Sequence, residues 1–334
     1  MNTASSKSLR RLMMDNVLYI CLLMMIVIIA IIAPSFLSLG VLTDILTQSA
    51  PRVVLAMGLL VVIISCGIDM TVGRLAGLCA IISGSLAQAV TYNLKFWPGL
   101  PEFPIWVPII AAMLAGLLVG CITGSIVSKL RVPAFLATLG MQMIIYGASL
   151  LLINKKPNHS QPLAGYINPF SDFGTGSIAG ISYLAIIAIA VMILVHIMLT
   201  RTTLGKNIFA IGGNREAAIV SGINVHKIEI FTYALCGFLA GLAGVMLAAR
   251  TGSATPSYGE GYELDAIASC IIGGASFTGG IGSVPGAFLG VIIFNVINYG
   301  LTFIGLSSYF QYIVKGLIIV FAVALDMRKY AHHS

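Results

Sequence analysis

Long apolar stretches separated by short polar segments make up most of this chain. A helix needs about 20 mainly apolar residues to cross the hydrocarbon core of a bilayer. Pro51 and Arg52 interrupt the second stretch, and only a Gly-rich segment separates the eighth from the ninth, so eight to ten spans are expected. The ten stretches lie near 17–34, 41–66, 75–91, 105–128, 134–153, 183–199, 228–249, 264–281, 284–304 and 309–325.

The composition agrees with a membrane location. Of the 334 residues, 58% are hydrophobic and 9% are charged, whereas about 25% of residues are charged in soluble domains. This excludes a soluble enzyme, a nucleic-acid-binding protein and a disordered chain. Glycines four residues apart, such as Gly116, Gly120 and Gly124, favour close helix packing in lipid. We therefore predict an all-α, polytopic helix bundle of about ten transmembrane helices, forming one domain over residues 1–334.

The positive charges indicate how the spans are oriented. With the N-terminus inside, twelve Lys and Arg residues fall in inner segments and four in outer loops, which is the bias of the positive-inside rule. Both termini and the loop 201–227 are thus expected in the cytoplasm, and the loop 155–182 outside. The inner set is Lys7, Arg10, Arg11, Arg74, Lys129, Arg131, Arg201, Lys206, Arg215, Lys227, Arg328 and Lys329.

Several polar side chains fall within predicted spans, where lipid would solvate them poorly. Arg52 lies about 16 Å along its helix, close to mid-bilayer, so we expect it to face the bundle interior. Asp69 is either a gate or coupling group, or a cap for a helix starting near Thr71. Lys315 is near enough to the outer end of the last span to reach water. The candidates for a translocation pathway or gate are Arg52, Asp69, Gln142, Asn295, Asn298 and Gln311.

The loop 201–227 contains a short predicted helix from about Arg215 to Ser221. Asn214 suits the N-cap, a negative Glu216 in the first turn suits the helix dipole, and Gly222 suits the C-terminal stop. Such a short helix is not stable alone, so it packs against the spans or docks onto another protein. The candidate docking residues are Asn214, Arg215, Glu216, Ala217, Ala218 and Gly222.

The sequence offers little for catalysis. It contains no GxxxxGK[ST] nucleotide-binding motif, and its six Cys and five His residues show no metal-ligand spacing. Neither enzyme activity nor a cofactor is expected of this chain. No acidic residue is predicted deep within a span beside a second one, which argues against the proton relay of an ion-coupled carrier. A channel is a further alternative.

Several segments resemble one transporter family. The sequence EAA at 216–218, followed by Gly222, is similar to the loop through which permease subunits of ATP-binding-cassette importers contact their ATPase. Segments 67–73 and 273–282 resemble the ribose, galactose and xylose branch of that family. Segments 262–268, 299–305, 311–316 and 322–326 are most similar to its galactose and methyl-galactoside members. The likeness extends over about residues 34–326.

This resemblance implies a permease subunit in the inner membrane of a bacterium, present in two copies. The substrate would be a monosaccharide, with galactose or methyl galactoside favoured and ribose as the alternative. A periplasmic sugar-binding protein would deliver the sugar, and a cytoplasmic ATPase subunit would hold the ATP and magnesium. Residues 214–218 and Gly222 would couple the ATPase to transport. An ion-coupled secondary transporter is the alternative from another class.

Overall fold

The chain folds into a bundle of helices with one short hairpin among the described residues. The computed structural model describes residues 17–331. The elements are α1 (Val17–Ile32), a 3₁₀ helix (Pro34–Leu37), α2 (Leu39–Ile64), α3 (Val72–Leu86), α4 (Trp106–Lys129), α5 (Ala134–Ile153), α6 (Asn168–Thr175), β1 (Ser177–Ile178), β2 (Ile181–Ser182), α7 (Tyr183–Arg201), α8 (Thr203–Gly213), α9 (Arg215–Val220), α10 (Val225–Thr251), α11 (Tyr262–Ile272), α12 (Val284–Phe303) and α13 (Ser308–Ala331).

Six of the described helices are long and apolar enough to cross a membrane, namely α2, α4, α5, α7, α10 and α12. Each coincides with a predicted span, and α1, α3 and α13 occupy three further ones. Pro51, which made the second span uncertain, lies inside α2 without ending it. The all-α class is therefore confirmed, while the number of membrane crossings stays a prediction.

The predicted eighth span, 264–281, is wrong in its extent. The helix there, α11, has 11 residues and covers about 16 Å, which is about half of the hydrocarbon core. Residues 273–283 form a loop instead, with left-handed φ angles at Gly274, Gly279 and Gly280. Glycine adopts these angles readily, so the helix ends here although no charged residue interrupts the stretch.

α3 is a second helix too short to cross the hydrocarbon core, and it lies in the other half of the bundle. It has 15 residues, or about 22 Å. Gly73 in its first turn packs against the carbonyl of Gly259, just before α11 begins. From there α3 runs beside the last part of α10, because Gly244 of α10 packs against Ala76 and Ala80. α3 and α11 thus both begin near the middle of the bundle and run toward opposite ends.

The centre of the bundle is α10, which packs against α4, α3 and α2. Gly116 of α4 and Gly237 of α10 are so close that a Cβ on either would meet the carbonyl of the other. Gly120 and Gly124 pack in the same way against Tyr233 and Ile230. The close packing predicted from the four-residue spacing of these glycines is confirmed, and it is an approach that residues with side chains would prevent.

Arg74 does not lie in an inner loop, where it was predicted. It is in the first turn of α3, near the middle of the bundle, with its Nη2 atom 3.1 Å from Glu260 Oε1. Without it, the charge count is eleven against four, which keeps the same orientation. Lys7, Arg10 and Arg11 lie outside the described residues.

We expect Cys residues introduced at Ser160 and Ser221, in a variant lacking the six native cysteines, to react from opposite sides of the membrane. Both positions are exposed, and they lie near opposite ends of α10, whose 27 residues span about 40 Å. An impermeant thiol reagent added outside intact cells should label position 160 only. Labelling of both positions from outside would contradict the predicted orientation.

Candidate translocation and coupling sites

Two basic residues and one acid meet half-way along the bundle. Arg52 Nε of α2 lies 3.7 Å from Asp265 Oδ2 of α11, and Lys315 Nζ of α13 lies 3.2 Å from the same oxygen. Arg52 Nη1 also donates to Asn295 Oδ1 of α12 at 2.7 Å, and its guanidinium lies 4.6 Å from the centre of the Tyr262 ring. The predicted interior position of Arg52 is confirmed. We call Arg52, Asp265, Asn295 and Lys315 the Arg52 cluster.

A polar cavity lies beside the Arg52 cluster. Its volume is about 190 Å³, which is room for about six water molecules. The amide nitrogen and oxygen of Asn298 are buried there with no hydrogen-bond partner among residues 17–331. Gln311 donates to the carbonyl of Leu306 at 3.1 Å. The cavity thus brings together four of the six predicted pathway residues: Arg52, Asn295, Asn298 and Gln311.

Lys315 and Asp265 differ from what the sequence led us to expect. Lys315 does not extend to the outer end of its helix, because α13 packs against α11 and offers it Asp265 as a partner. Asp265 was not among the predicted residues, since a span beginning at residue 264 would place it at the outer surface. The available signal was the pair of acids, Glu263 and Asp265, at the start of an otherwise apolar stretch.

A second polar group lies next to α11, toward α3 and α5. Gln142 Nε2 of α5 donates to Glu263 Oε1 at 3.3 Å, so Gln142 is not in the cavity of the Arg52 cluster. Beside it, Arg74 is paired with Glu260 at 3.1 Å and stacks 4.1 Å from the centre of the Tyr146 ring. We call Arg74, Gln142, Glu260 and Glu263 the Glu260 cluster.

Asp69 has partners of its own, in the turn that leads into α3. It is 1% exposed, and its Oδ1 accepts hydrogen bonds from the backbone nitrogen of Thr71 at 2.9 Å and from the Thr71 hydroxyl at 2.6 Å. These bonds stabilise the turn before Val72, where α3 begins. Asp69 thus closes a turn just ahead of the helix rather than capping it, because the N-cap residue of α3 is Thr71 and has no side-chain cap. A gate role for Asp69 stays a prediction.

α9 is a short helix capped at both ends. Asn214 Oδ1 accepts from the backbone nitrogen of Ala217 at 2.9 Å, so the predicted N-cap is confirmed. Gly222 has a φ of 80° and donates to the carbonyl of Ile219 at 2.9 Å, as in a glycine-terminated helix. These caps fix the ends of six residues, Arg215–Val220.

One face of α9 is covered by the bundle and the other is open. Ala218 is 3% exposed, so this candidate docking residue faces the bundle. Val220 is 89% exposed and Ile219 44% exposed, and Glu216 and Ala217 are also on the open side. The open face therefore combines small and apolar side chains that a partner protein can cover closely.

Arg215 fastens α9 to the bundle. Its Nε lies 2.9 Å from Glu229 Oε1 of α10, and Glu229 also accepts a hydrogen bond from the hydroxyl of Ser128 at the end of α4. The hydrogen bond that Arg215 donates to Glu229 raises the pKa of the guanidinium. α9 is in this way attached to the ends of both α4 and α10.

Known proteins match this chain over most of its length. Residues 41–323 fit the family described as the permease component of branched-chain amino acid transport systems. The chain belongs to this permease family. The galactose/methyl galactoside import permease of Escherichia coli K12 is 42% identical over 335 residues, which cover 99% of each protein. Its counterpart in Haemophilus influenzae is 43% identical over 324 residues, or 96% of each.

Permeases for another sugar are also similar. The ribose import permease of Escherichia coli K12 is 38% identical over 317 residues, which cover 95% of each protein. No solved structure matches this chain. The family confirms the predicted permease class and the resemblance to its galactose and ribose branch. The polar groups at mid-depth thus belong to a transport protein.

Proposed function

We propose that this chain is the membrane subunit of an ATP-driven importer that moves galactose or a methyl galactoside across the inner membrane of a bacterium. The observation that carries this proposal is the identity of 42–43% to galactose/methyl galactoside permeases over nearly the whole chain, against 38% to the ribose permease. Ribose, in the same class of importer, is the alternative substrate. The chain itself catalyses no reaction, and ATP hydrolysis takes place on a partner subunit.

The proposed assembly has two copies of this chain, two ATPase domains and a sugar-binding protein. The open face of α9 supports an ATPase contact at one end of the bundle, because Val220 there is 89% exposed. The sugar-binding protein would dock at the opposite end, which holds the loop with Ser160. ATP binding would draw the two α9 helices together, and the Arg215–Glu229 pair would transmit that movement to α10.

Ion-coupled transport is a second candidate because the structure brings two acids to mid-depth. The prediction that no such pair exists is wrong: Glu263 and Asp265 are each 5% exposed and lie two residues apart on α11. However, Asp265 is paired with two cations, and Glu263 accepts a hydrogen bond from Gln142. Neither carboxylate is thus without partners, as a proton carrier in transit would be, and we favour the ATP-driven importer.

We expect liposomes that contain this chain and its ATPase, with the loaded binding protein outside and ATP inside, to accumulate labelled galactose. Uptake should stop when a non-hydrolysable ATP analogue replaces ATP, and it should persist when ionophores collapse the ion gradients. The uptake rate of labelled ribose with the same binding protein should be at most about a tenth of the galactose rate. Counting the label inside the liposomes measures each rate.

The same assay separates the alternatives. Uptake that continues without ATP but stops with ionophores would show a secondary transporter. Faster entry of ribose, delivered by its own binding protein, would keep the importer class and change the substrate. Flux that never saturates with sugar concentration would indicate a channel instead.

A further inference from the structure

We propose that Arg74, Gln142 and Glu260 form a binding site for sugar hydroxyl groups on a water-filled wall of the permeation path. This inference rests on the proposed function, since the path is closed on its other side by the second copy. It assigns the sugar contact to the Glu260 cluster. The Arg52 cluster has a structural role instead, because its contacts join α2, α11, α12 and α13.

The depth of Glu260 in the bundle follows from backbone contacts. Gly259 packs on Gly73 at the start of α3, and Gly244 of α10 packs on Ala76 and Ala80. Gly244 lies about 10 Å from the end of α10, and the start of α3 is about 8 Å further in. Glu260 is thus close to the middle of a helix about 40 Å long, where a lipid-facing charge is disfavoured.

Glu260 is nevertheless open, with 60% of its side chain exposed. Two neighbouring positions, Ser257 and Leu264, are exposed as well. Together with Glu260 they form an exposed strip that runs from one end of the bundle to its middle. Charged residues within membrane proteins face a protein interior or a water-filled cavity. The strip therefore faces the second copy and the water-filled path between the two copies rather than lipid.

The chemistry of the strip suits a neutral, hydroxyl-rich solute. The Glu260 carboxylate accepts hydrogen bonds, the Arg74 guanidinium donates them, and the Gln142 amide does both. Arg74 is held in place by Glu260 at 3.1 Å and by the Tyr146 ring. The Arg74–Glu260 pair has no net charge, so it does not attract an ion. Its two side chains can replace the contact between them with hydrogen bonds to sugar hydroxyl groups.

The nearby acid Glu263 packs between Gln142 and the start of α3. One of its oxygens is held by Gln142, and the other is buried against Gly73 with no hydrogen-bond partner among the described residues. A Cβ at Gly73 would collide with that oxygen and with the carbonyl of Gly259. The absence of a side chain at position 73 lets the Glu263 carboxylate and the carbonyl of Gly259 lie against α3.

Accessibility to a water-soluble reagent tests whether this wall borders water. In the complete transporter without native cysteines, Glu260→Cys should react with a membrane-impermeant cationic thiosulfonate at least about tenfold faster than Ile144→Cys. Ile144 is a matched control because it lies on α5 at the depth of Gln142 and is 64% exposed, but carries an apolar side chain. If Glu260→Cys does not fold, Ser257→Cys replaces it. Equal, slow reaction at both positions would overturn the proposal.

Uptake measurements test the contact with sugar. In the reconstituted importer, Glu260→Gln should lower galactose uptake roughly tenfold, while the loaded binding protein still stimulates ATP hydrolysis. Glu102→Gln, which changes an exposed carboxylate in the loop 87–105, should leave both rates unchanged. Normal uptake by Glu260→Gln would overturn the hydroxyl site, although wild-type uptake would still support the proposed function.

Discussion

Changing Asp265 to Asn is expected to destabilise the protein more than removing either of its basic partners. The carboxylate balances Arg52 and Lys315, so its loss leaves two positive charges facing each other at mid-depth. An unpaired charge in this environment costs about 3 kcal/mol. Lys315→Leu should cost less because the pair of Arg52 and Asp265 remains. The midpoint of thermal unfolding in detergent and the yield of monodisperse protein measure the difference.

A double variant separates charge balance from geometry. Asp265→Asn combined with Lys315→Leu leaves one positive charge in excess, as in the original cluster. It should therefore regain part of the stability that Asp265→Asn loses. If the double variant is the less stable of the two, the cluster depends on the individual contacts of Lys315 rather than on its charge.

Changing Gly222 to Val is expected to uncouple ATP hydrolysis from sugar delivery, whereas Gly222→Asn is expected to be tolerated. Gly222 has a φ of 80°, and no atom lies within 4 Å of the position that a Cβ would take there, so backbone conformation alone decides the outcome. A β-branched residue in this conformation costs about 1–2 kcal/mol, whereas Asn adopts it more readily. The readout is the ATPase rate of the reconstituted importer with and without loaded binding protein.

The two Gly222 variants should insert into the membrane and form the complex equally well. Stimulation of ATP hydrolysis by the loaded binding protein should be lost in Gly222→Val and retained in Gly222→Asn. Equal stimulation in both would show that the rigid end of α9 is not needed for coupling. Poor insertion of Gly222→Val with normal activity per inserted molecule would make the segment a folding element.

The sequence predicted the long helices well because each has to be apolar over its whole length, whereas the short helices α6 and α8 were not predicted. The half-length helix α11 escaped this reasoning, since no charged residue separates it from the loop 273–283. The depth of Asp265 in the bundle depends on where α11 begins. Because that boundary was predicted at the outer surface, Asp265 was not among the candidates. The ends of α9 were predictable because capping is local: Asn214 and Gly222 act on residues within three positions.

Partnerships across the bundle could not be predicted in the same way. Arg52 lacks an obvious partner in sequence, since Asp265 is 213 positions away and only the packing of α2 against α11 brings the two together. The pair of Arg74 and Glu260 depends likewise on a non-helical segment that returns to mid-depth. Such contacts follow from the depth at which helices begin, which hydrophobicity does not specify.

The glycine contacts of α10 also determine how force travels through the protein. Where Gly116 and Gly237 meet, backbone touches backbone, and no side chain can change its rotamer to absorb a displacement. α4 and α10 should therefore move as one rigid body, which the Arg215–Glu229 ion pair attaches to α9 at one end. The other end of α10 leads into the non-helical segment that holds Glu260, so we expect a shift of α9 to reach the proposed sugar-binding site through that segment.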